Sequence, residues 1–247
     1  MKISIITVTY NSAATLEDTL RSVTEQDYDN VEYIIVDGGS SDATLAIIDK
    51  YAHKISKIIS EKDEGLYDAI NKGIALASGD IIGILHSDDF FIDKTVLSQY
   101  AAVFTKTNAD AVYANLYYVD KHNTNKIIRK WHSGTYGPTS FQNGWMPPHP
   151  SFFVKRVCYL NYGTFDLSFK TAADYELMLR FILKHKIVLG YLDSYTVKMR
   201  MGGASNKSIA NRLNANQEDR MAWKKNGLKP RFYTLYLKPL RKLIQFF

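Results

Sequence analysis

The chain has 247 residues, 46% of them hydrophobic, which suits one sizeable domain with a substantial core. Its formal net charge is +6, but from Arg220 onward there are eight basic residues and no acidic one. The rest of the chain is slightly acidic, which argues against a nucleic-acid-binding protein and suggests that the C-terminal segment faces an anionic surface. The single cysteine, Cys158, excludes an internal disulfide and fits a reducing compartment.

Apolar, β-branched runs alternate with amphipathic segments in the first half of the chain. The predicted strands are residues 3–8, 31–37, 57–60 and 81–85, and the predicted helices are residues 12–26, 41–52 and 65–78. Ser41 or Asp42 is expected to cap the second helix. Strands buried in a parallel sheet are continuously apolar. The alternation therefore predicts an α/β fold, with a Rossmann-like, mostly parallel sheet and helices on both faces.

The second half of the chain is less regular. A strand is predicted within residues 109–120, a proline-punctuated loop leads into a strand over residues 144–154, and a strongly apolar helix is predicted over residues 171–185. There is no internal repeat or low-complexity linker. One domain is expected over residues 1–219, followed by an extension over residues 220–247.

Three of the predicted strands end in polar residues: Thr9 and Tyr10, then Asp37, then the sequence His-Ser-Asp-Asp from His86 to Asp89. Ligands of open α/β sheets bind beyond the carboxyl ends of the strands, so these residues are expected to line one crevice suited to a nucleotide. Neither a dinucleotide fingerprint nor a P-loop occurs. For Asp37 a turn-forming role is an equal alternative, since Asp-Gly-Gly-Ser-Ser-Asp favours a turn.

Asp88 and Asp89 are adjacent carboxylates. A turn or a helix cap would use one of them, whereas two like charges side by side are more simply explained by a compensating cation. A hard divalent cation prefers oxygen ligands and commonly bridges a carboxylate to substrate phosphates. His86 in the same turn is compatible with manganese.

Four segments, in this order along the chain, carry a family resemblance: "ITVTYNS", "IIVDGGSSDAT", "DEGLYDAINKGIALASGDIIGILHSDD" and "AADYELMLRF". They resemble the successive motifs of glycosyltransferase family 2, whose members are inverting enzymes of the GT-A fold that use nucleotide-sugar donors. The resemblance covers roughly residues 1–180. It implies a nucleotide-sugar-binding half over about residues 1–105 and an acceptor half over about residues 106–219.

The resemblance places the metal-binding carboxylate, for Mn²⁺ or Mg²⁺, at Asp88. The sequence departs from the family's Asp-x-Asp motif at its first position, which is His86 here. This departure leaves open whether the metal is held tightly or mainly through the diphosphate of the donor. Asp89 is expected to support the loop or to contact the sugar.

The resemblance also implies a donor site. It assigns Asp37 to the base, usually uracil, and Thr9 and Tyr10 to packing around that base. Asp68 and Lys72 lie one turn apart on the polar face of a helix, where a solvated ion pair is the simple interpretation. The resemblance favours a role for both near the donor.

The segment "AADYELMLRF" resembles the helix that carries the family's catalytic base, which corresponds to Asp174. The glutamate that usually precedes it is Ala173 here. A first-turn acid favoured by the helix dipole is the alternative interpretation of Asp174. Trp145, His149 and Phe152 on the preceding loop are candidates for contact with a sugar acceptor, and ordinary loop packing is the alternative.

The leading hypothesis is an inverting glycosyltransferase that uses a nucleotide-sugar, expected to be a UDP-sugar. It would act on a saccharide or lipid-linked saccharide in surface polysaccharide biosynthesis. One alternative is a sugar nucleotidyltransferase, although "TYNSAATLED" is not the Gly-rich basic loop expected after its first strand. The other is a carbohydrate-binding or scaffold subunit without activity, which the departures at His86 and Ala173 leave open.

The C-terminal residues 228–247 interleave aromatic and aliphatic residues with cations. The segment is too short and too charged to span a bilayer, Pro239 interrupts it, and the N-terminus lacks a signal-peptide pattern. A cytoplasmic protein is therefore expected, with the segment lying on the inner face of the cell membrane against anionic lipid. The alternative is packing on the domain. Under the membrane hypothesis, truncation after Lys225 should leave the body folded.

Overall fold

The structure, a computed structural model, describes residues 1–202, 209–243 and 245. Over these residues the strands form one nine-stranded sheet with helices packed on both faces. The strands are β1 (Ile3–Thr9), β2 (Val31–Asp37), β3 (Lys57–Ser60), β4 (Ile81–Ile84), β5 (Asp89–Phe91), β6 (Ala111–Val119), β7 (Ile127–Trp131), β8 (Phe153–Lys155) and β9 (Leu189–Arg200). The helices are α1 (Leu16–Thr24), α2 (Thr44–Tyr51), α3 (Leu66–Leu76), α4 (Val96–Thr107), α5 (Arg156–Tyr162), α6 (Ala173–Met178), α7 (Ile209–Lys225) and α8 (Thr234–Leu243).

The first half of the sheet has the strand order β3-β2-β1-β4, with every neighbouring pair parallel. Ile3 of β1 pairs with Val31 on one side and Ile81 on the other, and all seven residues of β1 are buried. Strands covered on both faces are continuously apolar, which is why the sequence predicted them well. The expected mostly parallel α/β fold is confirmed.

The second half of the sheet is mixed. β8 runs antiparallel to both β4 and β6, β9 runs parallel to β6, and β5 is antiparallel to β9. The sequence pattern did not predict β5, β7 or β9. In β9 the alternation of apolar and polar residues is broken, because its pairing with β6 shifts register around Ala114 and Asn115.

The two faces of the sheet carry separate cores. Ile6 and Val8 face a core completed by α3, α5 and α6, whereas Ile3 and Ile5 face a core completed by α1, α2 and α4. Adjacent residues of a strand point to opposite faces, so β1 contributes to both cores. The strand ends that carry the candidate site are thus fixed from both sides.

Two predicted helix boundaries change. α2 begins at Thr44 after Ala43, so the expected cap at Ser41 or Asp42 is wrong, although Asp42 accepts a hydrogen bond from the Thr44 N–H at 2.9 Å. The helix expected over residues 171–185 is α6 followed by a π-helical segment, Leu179–Lys184. Asp174 lies in the first turn of α6, as the sequence predicts.

The C-terminal segment packs on the domain. Ala222, Trp223 and Leu235 belong to the core shared with α6, and the expected boundary at Arg220 falls inside α7. The expected interruption at Pro239 is wrong, because α8 continues through this residue. Truncation after Lys225 would remove Leu235 from that core. The expectation that the truncated domain stays folded did not take this contact into account. Ile244, Phe246 and Phe247 of the expected membrane segment lie outside the described residues. The side chains of Lys242 and Leu243 also lie outside them.

Within the described residues, no helix has both the length and the apolar character needed to cross a bilayer.

Candidate active site

A cavity of about 690 Å³ lies at the carboxyl ends of β1 and β4. These strands are parallel neighbours, so their ends meet at one edge of the sheet. Residues of α3, α6 and the loop before β8 complete the walls. The cavity brings together eight of the predicted site residues, namely Thr9, Tyr10, His86, Asp88, Asp89, His149, Phe152 and Asp174.

Asp37 ends β2 and is fully buried. Its Oδ2 accepts hydrogen bonds from the N–H groups of Gly39 (3.1 Å) and Ser40 (3.0 Å) and from the hydroxyl of Ser60 (2.7 Å). The Ser40 hydroxyl also donates to Oδ1. The structure thus shows the turn-forming role that the glycine-rich sequence predicts.

Asp68 and Lys72 form an ion pair on α3, with 3.4 Å between Lys72 Nζ and Asp68 Oδ2. Lys72 Nζ also lies 2.8 Å from Glu61 Oε1, and the Glu64 N–H donates to Asp68 Oδ2 at 3.1 Å. The pair therefore ties α3 to the loop before it. It is the ion pair of the simple interpretation, but both side chains are partly buried rather than fully solvated.

Trp145 lies in the hydrophobic core, with 5% of its surface exposed. Its Nε1 donates to the carbonyl of Ser133 at 2.7 Å, and its ring packs edge-on against Phe141. This placement differs from the expected contact with an acceptor and matches the loop-packing alternative. His149 and Phe152, on the same loop, line the cavity.

The turn from His86 to Asp89 is held by its backbone. The Asp89 N–H donates to the carbonyl of His86 at 3.0 Å, which closes the turn. The carbonyl of Asp88 accepts from Arg200 Nη1 at 2.8 Å, and the carbonyl of Asp89 accepts from the Thr19 hydroxyl at 2.7 Å. Arg200 also pairs with Asp18 of α1. Groups from α1 and β9 thus position the turn and leave its carboxylates to the cavity.

Three polar atoms at the cavity are buried and lack a hydrogen-bond partner among the described residues. They are Thr9 Oγ1 and both carboxylate oxygens of Asp89. Burial, together with the charge of Asp88, raises the pKa of Asp89 well above its usual range, although nearby Arg200 acts in the opposite direction. Buried polar groups are normally paired, so these atoms fit a site that a polar ligand or a cation would complete.

His86 and His149 bring two imidazoles to the cavity, with ring centroids 5.5 Å apart and an edge-on arrangement. Burial, followed by the nearby His149, lowers the pKa of His86 to about 4. His86 is therefore neutral at physiological pH and can act as a nitrogen ligand or a hydrogen-bonding group.

Asp174 faces the cavity from α6 between two partners. His149 Nδ1 lies 3.5 Å from Asp174 Oδ2, and the hydroxyl of Tyr67 lies 3.5 Å from Asp174 Oδ1. The Asp174 side chain is 22% exposed, so it can still reach a substrate in the cavity. A carboxylate with loose contacts that faces a cavity can accept a proton from a bound hydroxyl.

Tyr67 is a site residue that the sequence analysis missed. It precedes Asp68 in the quoted motif and stacks on Phe165, with centroids 5.6 Å apart. Burial, with the charge of Asp174 as the next cause, raises the pKa of Tyr67, so it remains a neutral hydroxyl. The signal was its spacing from Ile70 and Ile74, which puts Tyr67 on the buried face of α3.

Among the described residues, no group of three or more His, Cys, Asp or Glu side chains is arranged to hold a metal ion. Asp88 with His86 supplies at most two protein ligands at the turn. Magnesium is commonly bound by one or two carboxylates with substrate phosphates completing the shell. The residues present therefore fit an ion shared with a phosphate-bearing ligand.

Residues 4–172 match the sequence profile described as Glycosyl transferase family 2. The chain belongs to this family and is a glycosyltransferase. One relative is a PGL/p-HBAD biosynthesis glycosyltransferase of Mycobacterium bovis, which is 29% identical over 211 residues, or 83% of this chain and 80% of the relative.

Two solved structures have the same GT-A fold. TarS 1–349 of S. aureus in complex with UDP-GlcNAc superposes with a TM-score of 0.70 at 19% identity over 92% of this chain. The mannosyltransferase PcManGT of Pyrobaculum calidifontis, in complex with GDP-Man and Mn²⁺, superposes with a TM-score of 0.66 at 17% identity over 99% of this chain. The chain spans 65% of the TarS 1–349 chain and 69% of PcManGT.

The contribution of Arg200 to holding the turn can be measured through the free energy of unfolding. We expect Arg200→Met to lower the free energy of unfolding by about 1–3 kcal/mol, because it removes a charged donor from the Asp88 carbonyl. Arg21→Met is the matched control, since Arg21 also pairs with Asp18 at 2.9 Å but its side chain is 57% exposed. An exposed ion pair contributes only about 0.2–1 kcal/mol. Urea denaturation of both variants provides the measurement, and equal losses would show that the turn is held by other groups.

Proposed function

We propose that this chain is an inverting glycosyltransferase that moves a sugar from a nucleotide-sugar, with a UDP-sugar as the expected donor. The acceptor is a saccharide or a lipid-linked saccharide in surface polysaccharide biosynthesis. The observation that carries the proposal is that Asp174 lines the same cavity as Asp88 and Asp89. Inverting transfer requires a proton acceptor and a stabilised leaving group in one cleft.

The donor lies along the ends of β1 and β2 in this proposal. Thr9 has an unpartnered buried hydroxyl, and Tyr10 is 63% exposed at the cavity, where its ring can pack against a base. Asp37 supports the turn beside them and is proposed to contact the base. The ion pair of Asp68 and Lys72 braces the loop that leads to α3. The complex of TarS with UDP-GlcNAc supports a nucleotide-sugar in this cleft.

A divalent cation, Mn²⁺ or Mg²⁺, is proposed to bind at Asp88, with His86 beside it. When bound, it supplies positive charge against the diphosphate of the leaving group. Asp89 is proposed to support the loop or to contact the sugar. The presence of Mn²⁺ with GDP-Man in PcManGT supports this assignment.

Asp174 acts as the base. It accepts the proton of an acceptor hydroxyl as that oxygen bonds to the anomeric carbon and the bond from that carbon to the diphosphate breaks. His149, 3.5 Å from Asp174, orients the acceptor hydroxyl or the carboxylate. A general base of this kind contributes roughly 10²–10⁴-fold to the rate.

The proposed function is tested by nucleoside diphosphate release from a panel of UDP-, GDP- and TDP-sugars. We expect turnover with a UDP-sugar, and Asp174→Asn should reduce it roughly 10²–10⁴-fold because the amide cannot accept the proton. Calorimetric titration should give the same affinity of both proteins for UDP. A variant with near-normal turnover would exclude Asp174 as the base. A wild-type protein that releases no nucleotide from any donor, yet binds saccharide, would support the scaffold alternative.

The metal assignment predicts a response to chelation. EDTA should abolish turnover, and Mn²⁺ or Mg²⁺ should restore it, because the charge of the leaving diphosphate is otherwise uncompensated. Asp88→Asn should lose this response, whereas His86→Asp should keep or strengthen it by adding a second carboxylate. Asp110→Asn is the control, because Asp110 pairs with Lys155 away from the cavity. Turnover that is indifferent to EDTA in an active wild-type protein would remove the metal from the proposal.

The outward surface of the C-terminal segment suits a membrane. Three apolar side chains are prominent, with Phe232 exposed by 90%, Tyr236 by 62% and Leu240 by 53%. The exposed cations Arg231 and Arg241 lie among them. Aromatic residues at headgroup depth and cations against anionic lipid are the features of an interfacial segment. We therefore propose peripheral binding at the inner face of the cell membrane, which would bring the cleft to a lipid-linked acceptor.

The membrane proposal is tested without removing the packed side of α8. Phe232→Ser combined with Leu240→Ser should abolish co-sedimentation with phosphatidylglycerol vesicles, because it removes apolar area from the contact. Leu160→Ser on α5 is the matched control, since Leu160 is 67% exposed. Binding should also weaken at high salt, as each cation near an anionic surface contributes about 1 kcal/mol. Absence of vesicle binding by the wild-type protein, or equal loss in the control, would contradict the proposal.

A further inference from the structure

The carboxylate of Glu218 on α7 anchors the residues immediately before Asp174. Its Oε2 accepts hydrogen bonds from the N–H groups of Thr171 (2.8 Å) and Ala172 (2.9 Å) and from the Thr171 hydroxyl (2.9 Å). Its Oε1 accepts from the Lys170 N–H at 3.1 Å. One side chain, 46 residues further along the chain than Ala172, thus binds three successive N–H groups.

This contact supplies what the local sequence lacks. The N-terminal N–H groups of a helix have no partner within the helix and are usually satisfied by a polar capping side chain. The residue at the cap position of α6 is Ala172, which has no side-chain acceptor. Of the N–H groups that Glu218 binds, that of Ala172 is one of these unpaired groups, whereas those of Lys170 and Thr171 precede the helix, so Glu218 fixes the chain where it enters α6. Its negative charge is favourable near the N-terminus of α6.

α7 and the residue that follows it, Asn226, also contact the side chains after Asp174. Trp223 Nε1 donates to the hydroxyl oxygen of Tyr175 at 2.9 Å, and Asn226 Nδ2 donates to Glu176 Oε1 at 3.0 Å. Trp223 and Tyr175 are both buried, so these contacts are sheltered from water. The chain is therefore held on both sides of Asp174, through backbone N–H groups before it and through the side chains of Tyr175 and Glu176 after it.

α8 completes the support. Lys238 Nζ lies 2.7 Å and 2.8 Å from the two carboxylate oxygens of Asp219, the residue next to Glu218. The same Nζ lies 3.5 Å from the centroid of the Tyr175 ring. Lys238 thus links α8 to α7 and to α6 at once, next to the residue that anchors the start of α6.

We propose that Glu218 is a positioning residue for Asp174, so that the C-terminal helices set the geometry of the base. The proposal rests on the proposed function, because it assumes that Asp174 takes the proton. It gives the C-terminal segment a role in turnover that is separate from membrane binding. Misplacement of a reacting group by about 1 Å can cost roughly 10²-fold in rate.

The kinetic test compares Glu218→Ala with Glu218→Gln, using UDP release from the UDP-sugar that the wild-type protein uses. Glu218→Ala should lower kcat by roughly 10–100-fold with the KM for the donor unchanged. Glu218→Gln keeps an acceptor oxygen and should recover most of kcat. Lys225→Met is the matched control, because Lys225 ties α7 to Asp166 and Ser168 but not to the N–H groups before Asp174. Equal kcat in the Ala variant and wild type, or an equal loss in the control, would overturn the proposal.

A double variant separates this inference from the proposed function. In an Asp174→Asn background, Glu218→Ala should cause no further loss of turnover, because it acts through Asp174. A further loss as large as in the wild-type background would overturn the positioning role while leaving Asp174 as the base. Normal turnover of Asp174→Asn alone would instead overturn the proposed base.

Amide hydrogen exchange tests the anchor independently of turnover. The N–H groups of Lys170, Thr171 and Ala172 should lose protection in Glu218→Ala and keep it in Lys225→Met. Melting temperatures would show whether the loss is local or reflects general destabilisation. Unchanged exchange at these three amides in Glu218→Ala would overturn the proposal even in a protein without measurable turnover.

Discussion

Two adjacent carboxylates, Asp88 and Asp89, stand at the end of a buried strand, and the surrounding elements are arranged around this unfavourable pair. Asp89 is fully enclosed, and burial raises the pKa of its carboxyl well above its usual range, because burying an unpaired charge is far more costly than burying a neutral polar group. The turn is therefore held through its carbonyl oxygens, by Arg200 and Thr19, rather than through its acids. Since Arg200 ends β9, that strand matters to the site although it lies far along the chain. This arrangement keeps both acids available to the cavity.

The parallel half of the fold was predictable because each of its signals is local. Strands covered on both faces are continuous apolar runs, and the helices between them show helical periodicity. β9 lacked such a signal, because Asp193 and Ser194 fall where its pairing with β6 shifts register. The change from α6 to a π-helical segment could not be predicted from the sequence either. Leu177 in α6 and Phe181 in the π-helical segment are both buried, so the apolar pattern does not distinguish the two hydrogen-bond registers.

The site was predictable where topology alone brings residues together, as it does for Thr9 and Asp88 at the ends of two neighbouring parallel strands. It was not predictable where a side chain's direction depends on distant packing. The Trp145 side chain points into the core, where its Nε1 donates a hydrogen bond to the carbonyl of Ser133. Glu218 has no motif of its own, and its contacts appear only when α7 docks on α6. Local sequence thus indicates which strand ends meet, and tertiary structure determines which side chains support them.

The two departures from the family pattern have different physical consequences. Ala173 is fully buried, whereas the next residue, Asp174, lines the cavity, as expected when consecutive helical residues point about 100° apart. An alanine there leaves no polar group to satisfy, so this substitution does not alter the groups that face the cavity. Ala173 therefore gives little support to the scaffold alternative.

His86 is different, because it lines the cavity itself. A neutral imidazole in place of a carboxylate removes one negative charge from a turn that already holds Asp88 and Asp89, which reduces repulsion between like charges. It also weakens the attraction of the turn alone for a divalent cation. A cation would then bind most strongly when a donor diphosphate supplies the missing negative charge, so that metal and donor binding should reinforce each other.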